Sequence, residues 1–201
     1  MKKSKVLFAA LVFACAASAL FAGPLGAGIT AGGALSFVGT DLPSDGSPRY
    51  GASAGIYGTY PLSAAEGGFS LSLRPEVLFT MKGYRDANDN KIDINTIEAP
   101  ILAKAAVPMN LPVVPYLLLG AAPGFSIDTT VTNEDGDDIT DAYLLDFNSV
   151  FLGAVFGAGV ETEMGLDIDV RFNMGLLNII DSDDNYMKNR TIAVMASYQL
   201  F

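Results

Sequence analysis

The chain has 201 residues, with 21 glycines, 22 acidic residues and 12 lysines and arginines, so its formal net charge is −10. This acidity argues against a nucleic-acid-binding protein, because phosphate backbones are bound by clusters of lysine and arginine. The sequence contains no histidine, which excludes the common serine–histidine and cysteine–histidine catalytic pairs and imidazole metal ligands.

Residues 1–22 have the pattern of an export signal. A basic start is followed by an apolar run from Val6 to about Ala17, which is shorter than the roughly 20 residues of a transmembrane helix. We place the cleavage site after Ala22, with Ala19 as the alternative. The predicted mature chain, residues 23–201, loses three lysines and keeps 9 basic against 22 acidic residues, a net charge of −13.

The single cysteine, Cys15, lies within that segment, so we expect no disulfide in the mature chain. We interpret Cys15 as an ordinary apolar position of the signal. The alternative is a lipobox, Val12-Phe13-Ala14-Cys15, which would make Cys15 a lipidated first residue.

From residue 25 onward, apolar residues alternate with small or polar ones in runs of ten or more. The clearest run is Leu166-Asp167-Ile168-Asp169-Val170-Arg171-Phe172-Asn173-Met174. A period of two predicts a β-strand, and the length suits the roughly 9–11 residues that cross a membrane better than the 5–6 of a soluble sandwich. The predicted strands are Leu25–Val38, Arg49–Tyr60, Phe69–Lys82, Ile94–Val107, Pro115–Ile127, Asn148–Glu161, Leu166–Leu176 and Arg190–Phe201.

The connections between these strands alternate in length. The long, acidic ones are Gly39–Pro48, Gly83–Asp93, Asp128–Asp146 and Asn178–Asn189, and the short ones are Pro61–Gly68, Pro108–Pro112 and Thr162–Gly165. This pattern predicts an all-β, up-and-down antiparallel transmembrane β-barrel of about eight strands in the bacterial outer membrane, with its short turns in the periplasm. We expect four prolines inside the strands to mark bulges or strand ends, namely Pro75, Pro100, Pro115 and Pro123.

The alternative is a soluble or lipid-anchored periplasmic barrel like the lipocalins. Such a barrel needs an apolar lumen and a polar outer face, and this chain has the reverse pattern, with charges in the middle of the strands. The predicted inward charges are Arg74, Glu76, Glu98, Lys104, Asp167, Asp169 and Arg171. Because eight strands leave space only for side chains, we predict a plug of paired charges rather than the selectivity ring of a small pore.

An acidic stretch, Glu134, Asp135, Asp137 and Asp138, lies in the longest predicted loop. Counted from Asn133, the sixth position is Asp138 and the twelfth is Leu144, which excludes an EF-hand. We predict a solvated surface-binding loop, with weak divalent-cation binding as the alternative. The tyrosines near strand ends, Tyr50, Tyr57, Tyr60, Tyr84, Tyr116 and Tyr198, are expected to form interfacial girdles.

Three motifs resemble the PorT-like family of outer-membrane β-barrels. They are Pro75-Glu76-Val77-Leu78-Phe79-Thr80-Met81-Lys82-Gly83, Pro100-Ile101-Leu102-Ala103-Lys104 and Pro115-Tyr116-Leu117-Leu118-Leu119-Gly120-Ala121-Ala122-Pro123-Gly124; Gly157-Ala158-Gly159-Val160-Glu161 is similar to the family's sixth strand. The resemblance implies a small barrel like OmpX or the OmpA transmembrane domain, with a secretion- or assembly-accessory role as one option. It also implies that insertion machinery reads the C-terminal strand, although Tyr198 stands three places from Phe201 rather than two.

From these observations we predict a structural or surface-interaction role for an integral barrel. Outer-membrane lipid surrounds it, and the surface partner is undefined. We predict no enzymatic activity, no catalytic residues, no cofactor and no metal site.

Overall fold

The computed structural model describes residues 26–40, 47–63, 68–86, 89–107, 109, 112–140, 149–177 and 187–201. The predicted signal segment, with Cys15, lies outside these residues. The strands are β1 (Gly26–Thr40), β2 (Arg49–Ser63), β3 (Ser70–Arg85), β4 (Lys91–Glu98), β5 (Ile101–Ala106), β6 (Val113–Thr132), β7 (Val150–Thr162), β8 (Leu166–Gly175) and β9 (Met187–Gln199). No helix in the described part of the chain is long and apolar enough to cross a membrane.

The strands form one closed antiparallel ring. Consecutive strands pair with each other, except β4 and β5, and β1 also pairs with β9, which closes the barrel. β4 and β5 both pair with β3 on one side and β6 on the other. Their registers on β3 agree, with Leu78 opposite Glu98 and Pro75 opposite Ile101. They are therefore two parts of one barrel strand, and the predicted eight-stranded up-and-down barrel is confirmed.

Only one of the four prolines interrupts its strand. Pro100 separates β4 from β5, yet its carbonyl still accepts a hydrogen bond from the Glu76 amide at 2.8 Å. The expectation is wrong for the other three, which stay within β3 and β6. The register shift of β6 lies instead opposite Asn95 and Thr96.

The two faces of the barrel have opposite chemistry. On β8, the outward Ile168 and Val170 are 48% and 52% exposed, whereas the inward Asp169 and Arg171 are 1% and 5% exposed. Leu117, Phe156 and Val194 extend the outward apolar belt onto β6, β7 and β9. An apolar exterior around a charged interior is the arrangement of a barrel surrounded by lipid.

The strands extend further than predicted at one end of the barrel. β3 and β4 pair as far as Arg85 and Lys91, so only residues 86–90 of the predicted loop Gly83–Asp93 connect them. β6 runs to Thr132, within the predicted loop Asp128–Asp146. The prediction of uniformly long loops at this end is therefore wrong for residues 86–90. At the other end β9 stops at Gln199, two residues before the predicted Phe201.

We expect Val170→Lys to lower the free energy of unfolding by about 2–4 kcal/mol, because a lysine near mid-membrane on the lipid face is poorly solvated. Met164→Lys, in the turn before β8 where Met164 is 77% exposed, is the control and should cost at most about 1 kcal/mol. Denaturant unfolding in phospholipid vesicles measures both variants. Equal stabilities would contradict the assignment of β8's outward face to lipid.

Candidate functional site: the charged lumen and the outer acidic turn

The structure places the seven predicted inward charges inside the barrel, each at most 8% exposed. They lie on opposite walls, on β3, β4, β5 and β8. Their inward direction follows from the period-two alternation along each strand. Six of them form one connected cluster in the inner half of the lumen, which we call the lumen network: Arg74, Glu76, Lys104, Asp167, Asp169 and Arg171.

Arg74 lies at the centre of the lumen network and is fully buried. Its Nε donates to Glu76 Oε1 at 2.7 Å, one Nη donates to Asp167 Oδ2 at 3.1 Å, and the other donates to Ser197 Oγ at 2.7 Å. The guanidinium also stacks 3.8 Å from the centre of the Tyr57 ring. Arg74 thereby connects β2, β3, β8 and β9 across the lumen.

Arg171 completes the pairing of Glu76. One Nη of Arg171 donates to Glu76 Oε2 at 2.6 Å, while Nε and the other Nη donate to the two oxygens of Asp169 at 2.5 and 3.0 Å. Each oxygen of the fully buried Glu76 therefore accepts a hydrogen bond from a different arginine. Such charge-assisted bonds, bidentate where planar groups align, are the strong class of protein hydrogen bond.

Lys104 lies at the inner edge of the lumen network. Its ammonium donates to Asp167 Oδ2 at 3.0 Å and also pairs with Glu161. It lies 4.1 Å from the centre of the Tyr116 ring, and the Tyr116 hydroxyl donates to Asp169 Oδ2 at 3.0 Å. Three cations and three carboxylates make the six-residue network neutral, with Glu161 an additional partner at its rim.

Glycines on β7 leave space for these large side chains. Gly157 lies opposite Arg171, and Gly159 lies opposite Asp169. A Cβ on Gly159 would stand 2.6 Å from Asp169 Cβ and 2.7 Å from Tyr116 Cζ. Glycine at this position is therefore a packing requirement of the lumen network.

A second ion pair lies further toward the outer end of the lumen. Lys82 Nζ contacts Glu98 Oε1 at 2.6 Å, and Glu98 also accepts from Thr96 Oγ1 at 3.2 Å and Asn173 Nδ2 at 3.3 Å. A cavity of about 40 Å³ separates this pair from Arg171. The lumen thus contains two layers of paired charge.

Four members of this site were missed or misplaced by the sequence analysis. Lys82 and Glu161 were not among the predicted lumen charges, although Lys82 shares the even-numbered face of β3 with Arg74 and Glu76. Tyr57 and Tyr116 were assigned to interfacial girdles, but they are 3% and 2% exposed inside the barrel. That assignment is wrong, because both rings stack on lumen cations.

The acidic stretch forms an ordered turn where β6 ends. The Asp137 amide donates a hydrogen bond to Asn133 Oδ1 at 2.7 Å, and the Ile139 amide donates one to the Val131 carbonyl oxygen at 2.9 Å. Gly136 has a φ of 91°, a conformation that favours glycine. The four carboxylates of this outer acidic turn, Glu134, Asp135, Asp137 and Asp138, are all exposed.

Within this turn, the Asp138 carboxylate accepts two hydrogen bonds from Thr140. The Thr140 hydroxyl and amide donate to Asp138 Oδ1 at 2.6 and 2.9 Å. These bonds favour the charged form, so they lower the pKa of the Asp138 carboxyl below its ordinary value. Asp138 therefore keeps its charge in weakly acidic surroundings.

Among the described residues, no group of three or more histidine, cysteine, aspartate or glutamate side chains is placed to hold a metal ion. The carboxylates inside the barrel are engaged by arginine and lysine, and those of the outer acidic turn are exposed.

A family model described as an outer membrane protein β-barrel domain matches residues 6–199. No curated protein sequence matches the chain. Among solved structures, Neisserial surface protein A is 17% identical, with 88% of this chain and 98% of that chain covered and a TM-score of 0.53. The outer membrane enzyme PagL is 10% identical, with 85% of this chain and 98% of that chain covered and a TM-score of 0.54. Ail of Yersinia pestis is 18% identical, with 87% of this chain and 98% of that chain covered and a TM-score of 0.42.

The comparison with PagL corrects the prediction that the chain has no enzymatic activity. That prediction is wrong as it stands, because an outer membrane enzyme is among the proteins that share this fold. At this level of identity the similarity concerns the fold, and the fold serves both enzymes and other proteins.

We expect Arg74→Met to lower the free energy of unfolding by roughly 3 kcal/mol, the lower end of the range for breaking a buried ion pair. The lower end applies because Glu76 keeps Arg171 and Asp167 keeps Lys104. Arg85→Met, at the exposed end of the same strand, is the control and should change stability by less than about 0.5 kcal/mol. Denaturant unfolding measures both variants. Equal free energies of unfolding for R74M and the wild-type protein would contradict the role assigned to Arg74.

Proposed function

We propose that this chain, which belongs to the outer membrane protein β-barrel domain family, is a closed barrel that acts at the cell surface. Its location in the bacterial outer membrane follows from the family and from the fold it shares with Neisserial surface protein A. The closure of the lumen and the surface role are the parts that we propose.

The observation that carries the proposal is the lumen network. Its cations and carboxylates reach across the barrel from β3 to β8, and Arg74, Glu76 and Asp169 are at most 1% exposed. In an eight-stranded barrel, side chains of this size occupy the interior. The network acts as a structural plug that holds opposite walls together.

The energetics favour closure over conduction. A solute passing Arg74 or Arg171 would have to separate at least one buried pair, and an uncompensated buried charge costs about 3–5 kcal/mol. Each arginine makes three hydrogen bonds within the lumen. Moving one guanidinium therefore breaks several strong contacts together, so a small pore is the weaker interpretation.

The outer acidic turn supports the surface role. Its backbone hydrogen bonds present four exposed carboxylates on an ordered scaffold, which is where binding residues of barrels are commonly found. Since no three described acidic side chains are grouped so that they could hold a metal ion, we favour a basic macromolecular partner. Electrostatic attraction of this kind increases association rates and weakens with salt.

A secretion- or assembly-accessory role is the second candidate. It rests on the resemblance of the β3, β5 and β6 motifs to the PorT-like family. We also expect the insertion machinery to bind β9, the strand that closes the ring against β1, and outer-membrane lipid to contact the apolar belt.

The closed lumen predicts that wild-type protein in planar lipid bilayers shows no large, stable open channels. A variant with Arg74, Glu76, Asp169 and Arg171 all replaced by serine should conduct, provided that circular dichroism shows an intact β-sheet. Large, stable channels in the wild-type protein would overturn the proposed plug.

The surface role predicts that neutralising Glu134, Asp135, Asp137 and Asp138 to their amides weakens binding of an oligolysine peptide to the reconstituted protein by at least about tenfold at low salt. Glu163→Gln, in the turn at the opposite end, is the control and should bind as wild type does. Unchanged affinity in the four-site variant would show that this turn does not bind basic partners.

A further inference from the structure

A pocket opens at the inner end of the barrel, at the opposite end from the outer acidic turn. It lies between the turn that joins β7 to β8 and the end of β9, and its lining includes Glu161, Asp167, Met164 and Leu200. The Gln199 amide donates a hydrogen bond to the Gly165 carbonyl oxygen at 2.9 Å, which joins the two sides of the pocket. We call it the inner pocket.

The inner pocket is large enough for a small organic molecule. Its volume is about 360 Å³. A cavity of roughly 150 Å³ is enough to hold benzene, and the ligand pockets of proteins begin at roughly 300 Å³. A molecule of a few carbon atoms with one polar group therefore fits the inner pocket with space for water beside it.

Two carboxylates of the inner pocket each keep one unused oxygen. Lys104 contacts Asp167 Oδ2 at 3.0 Å and also Glu161 Oε2, and Arg74 donates to the same Asp167 Oδ2. Among the described residues, no donor is paired with Asp167 Oδ1 or Glu161 Oε1. Asp167 is only 6% exposed, and Glu161 lies opposite it in the β7–β8 pairing. Because buried polar atoms in proteins almost always have a partner, these oxygens indicate a donor in the pocket.

The charges around the inner pocket favour a cationic donor. The lumen network is neutral, so Glu161 adds a negative charge that no cation of the network balances, and Glu163 in the adjoining turn adds another. Of the nine basic residues of the predicted mature chain, four lie in the lumen, and five lie at the outer ends of strands: Arg49, Arg85, Lys91, Lys188 and Arg190. Since no three described acidic side chains are grouped for a metal ion, we favour an organic cation.

We propose that the inner pocket binds a primary amine on a short aliphatic chain, in its charged ammonium form. An ammonium has three N–H donors, which are shared between Asp167 Oδ1 and Glu161 Oε1, the oxygens that Lys104 leaves open. The aliphatic chain lies toward Met164 and Leu200 at the rim. Because the lumen network closes the barrel behind the site, the amine enters and leaves from the periplasm.

Butylamine, which carries a positive charge at pH 7 as a lysine side chain does, is the probe for this site. Added at low salt to the full-length mature protein in phosphatidylcholine nanodiscs, it should give saturable shifts of the Gly165 and Gln199 amide signals in ¹⁵N NMR spectra. The uncharged 1-butanol, with the same chain, should bind at least about tenfold more weakly. Equal binding of the two probes, shifts that never saturate, or shifts confined to the outer acidic turn would overturn the proposal.

Two glutamates at opposite ends of the barrel provide a matched pair of variants. Glu161→Gln removes one charge from the inner pocket and should weaken butylamine binding about tenfold, while Lys104 keeps its contact with Asp167. Glu134→Gln removes one exposed charge from the outer acidic turn and should leave the affinity unchanged. Equal affinities in the two variants would overturn the proposal, and the comparison of butylamine with 1-butanol on the wild-type protein decides it if E161Q does not fold.

Discussion

A charge inside a narrow, water-poor lumen must be paired, and this requirement organises the rest of the barrel. Removing a partner from a buried ion pair costs about 3–5 kcal/mol, a large part of the stability of an ordinary domain. Arg74 meets the requirement by contacting three other residues through hydrogen bonds and Tyr57 through its ring. The contacts run between strands, so satisfying the charges also joins the walls.

The same constraint explains the distribution of small and aromatic residues. Gly157 and Gly159 lie opposite the bulky Arg171 and Asp169, because a side chain at Gly159 would clash with Asp169 and with Tyr116. Tyr57 and Tyr116 cover Arg74 and Lys104 with their rings. The outer half is less crowded and contains a cavity of about 40 Å³ beside Lys82 and Phe151.

Period-two alternation was enough to predict the strands and the face on which Asp167, Asp169 and Arg171 lie, because every second side chain of a strand points the same way. It could not predict that Arg74 meets Asp167, since partners across a barrel depend on strand tilt and stagger. Tyr57 and Tyr116 were misplaced because they were assigned by their position near a strand end, although the alternation puts Tyr57 on the inward face with Ser53. The loop at residues 86–90 was overestimated because Gly83 and Asp93 are typical of turns, although here they pair within the sheet.

The central claim is that Arg74 and Arg171 are locked in a dry, paired lumen. The most direct measurement is hydrogen exchange of the arginine Nε–H groups by ¹⁵N NMR in lipid nanodiscs. The account predicts separate, slowly exchanging signals for Arg74 and Arg171, while the exposed Arg85 exchanges rapidly. Exchange of Arg74 and Arg171 as fast as that of Arg85 would show a water-filled lumen and contradict the account.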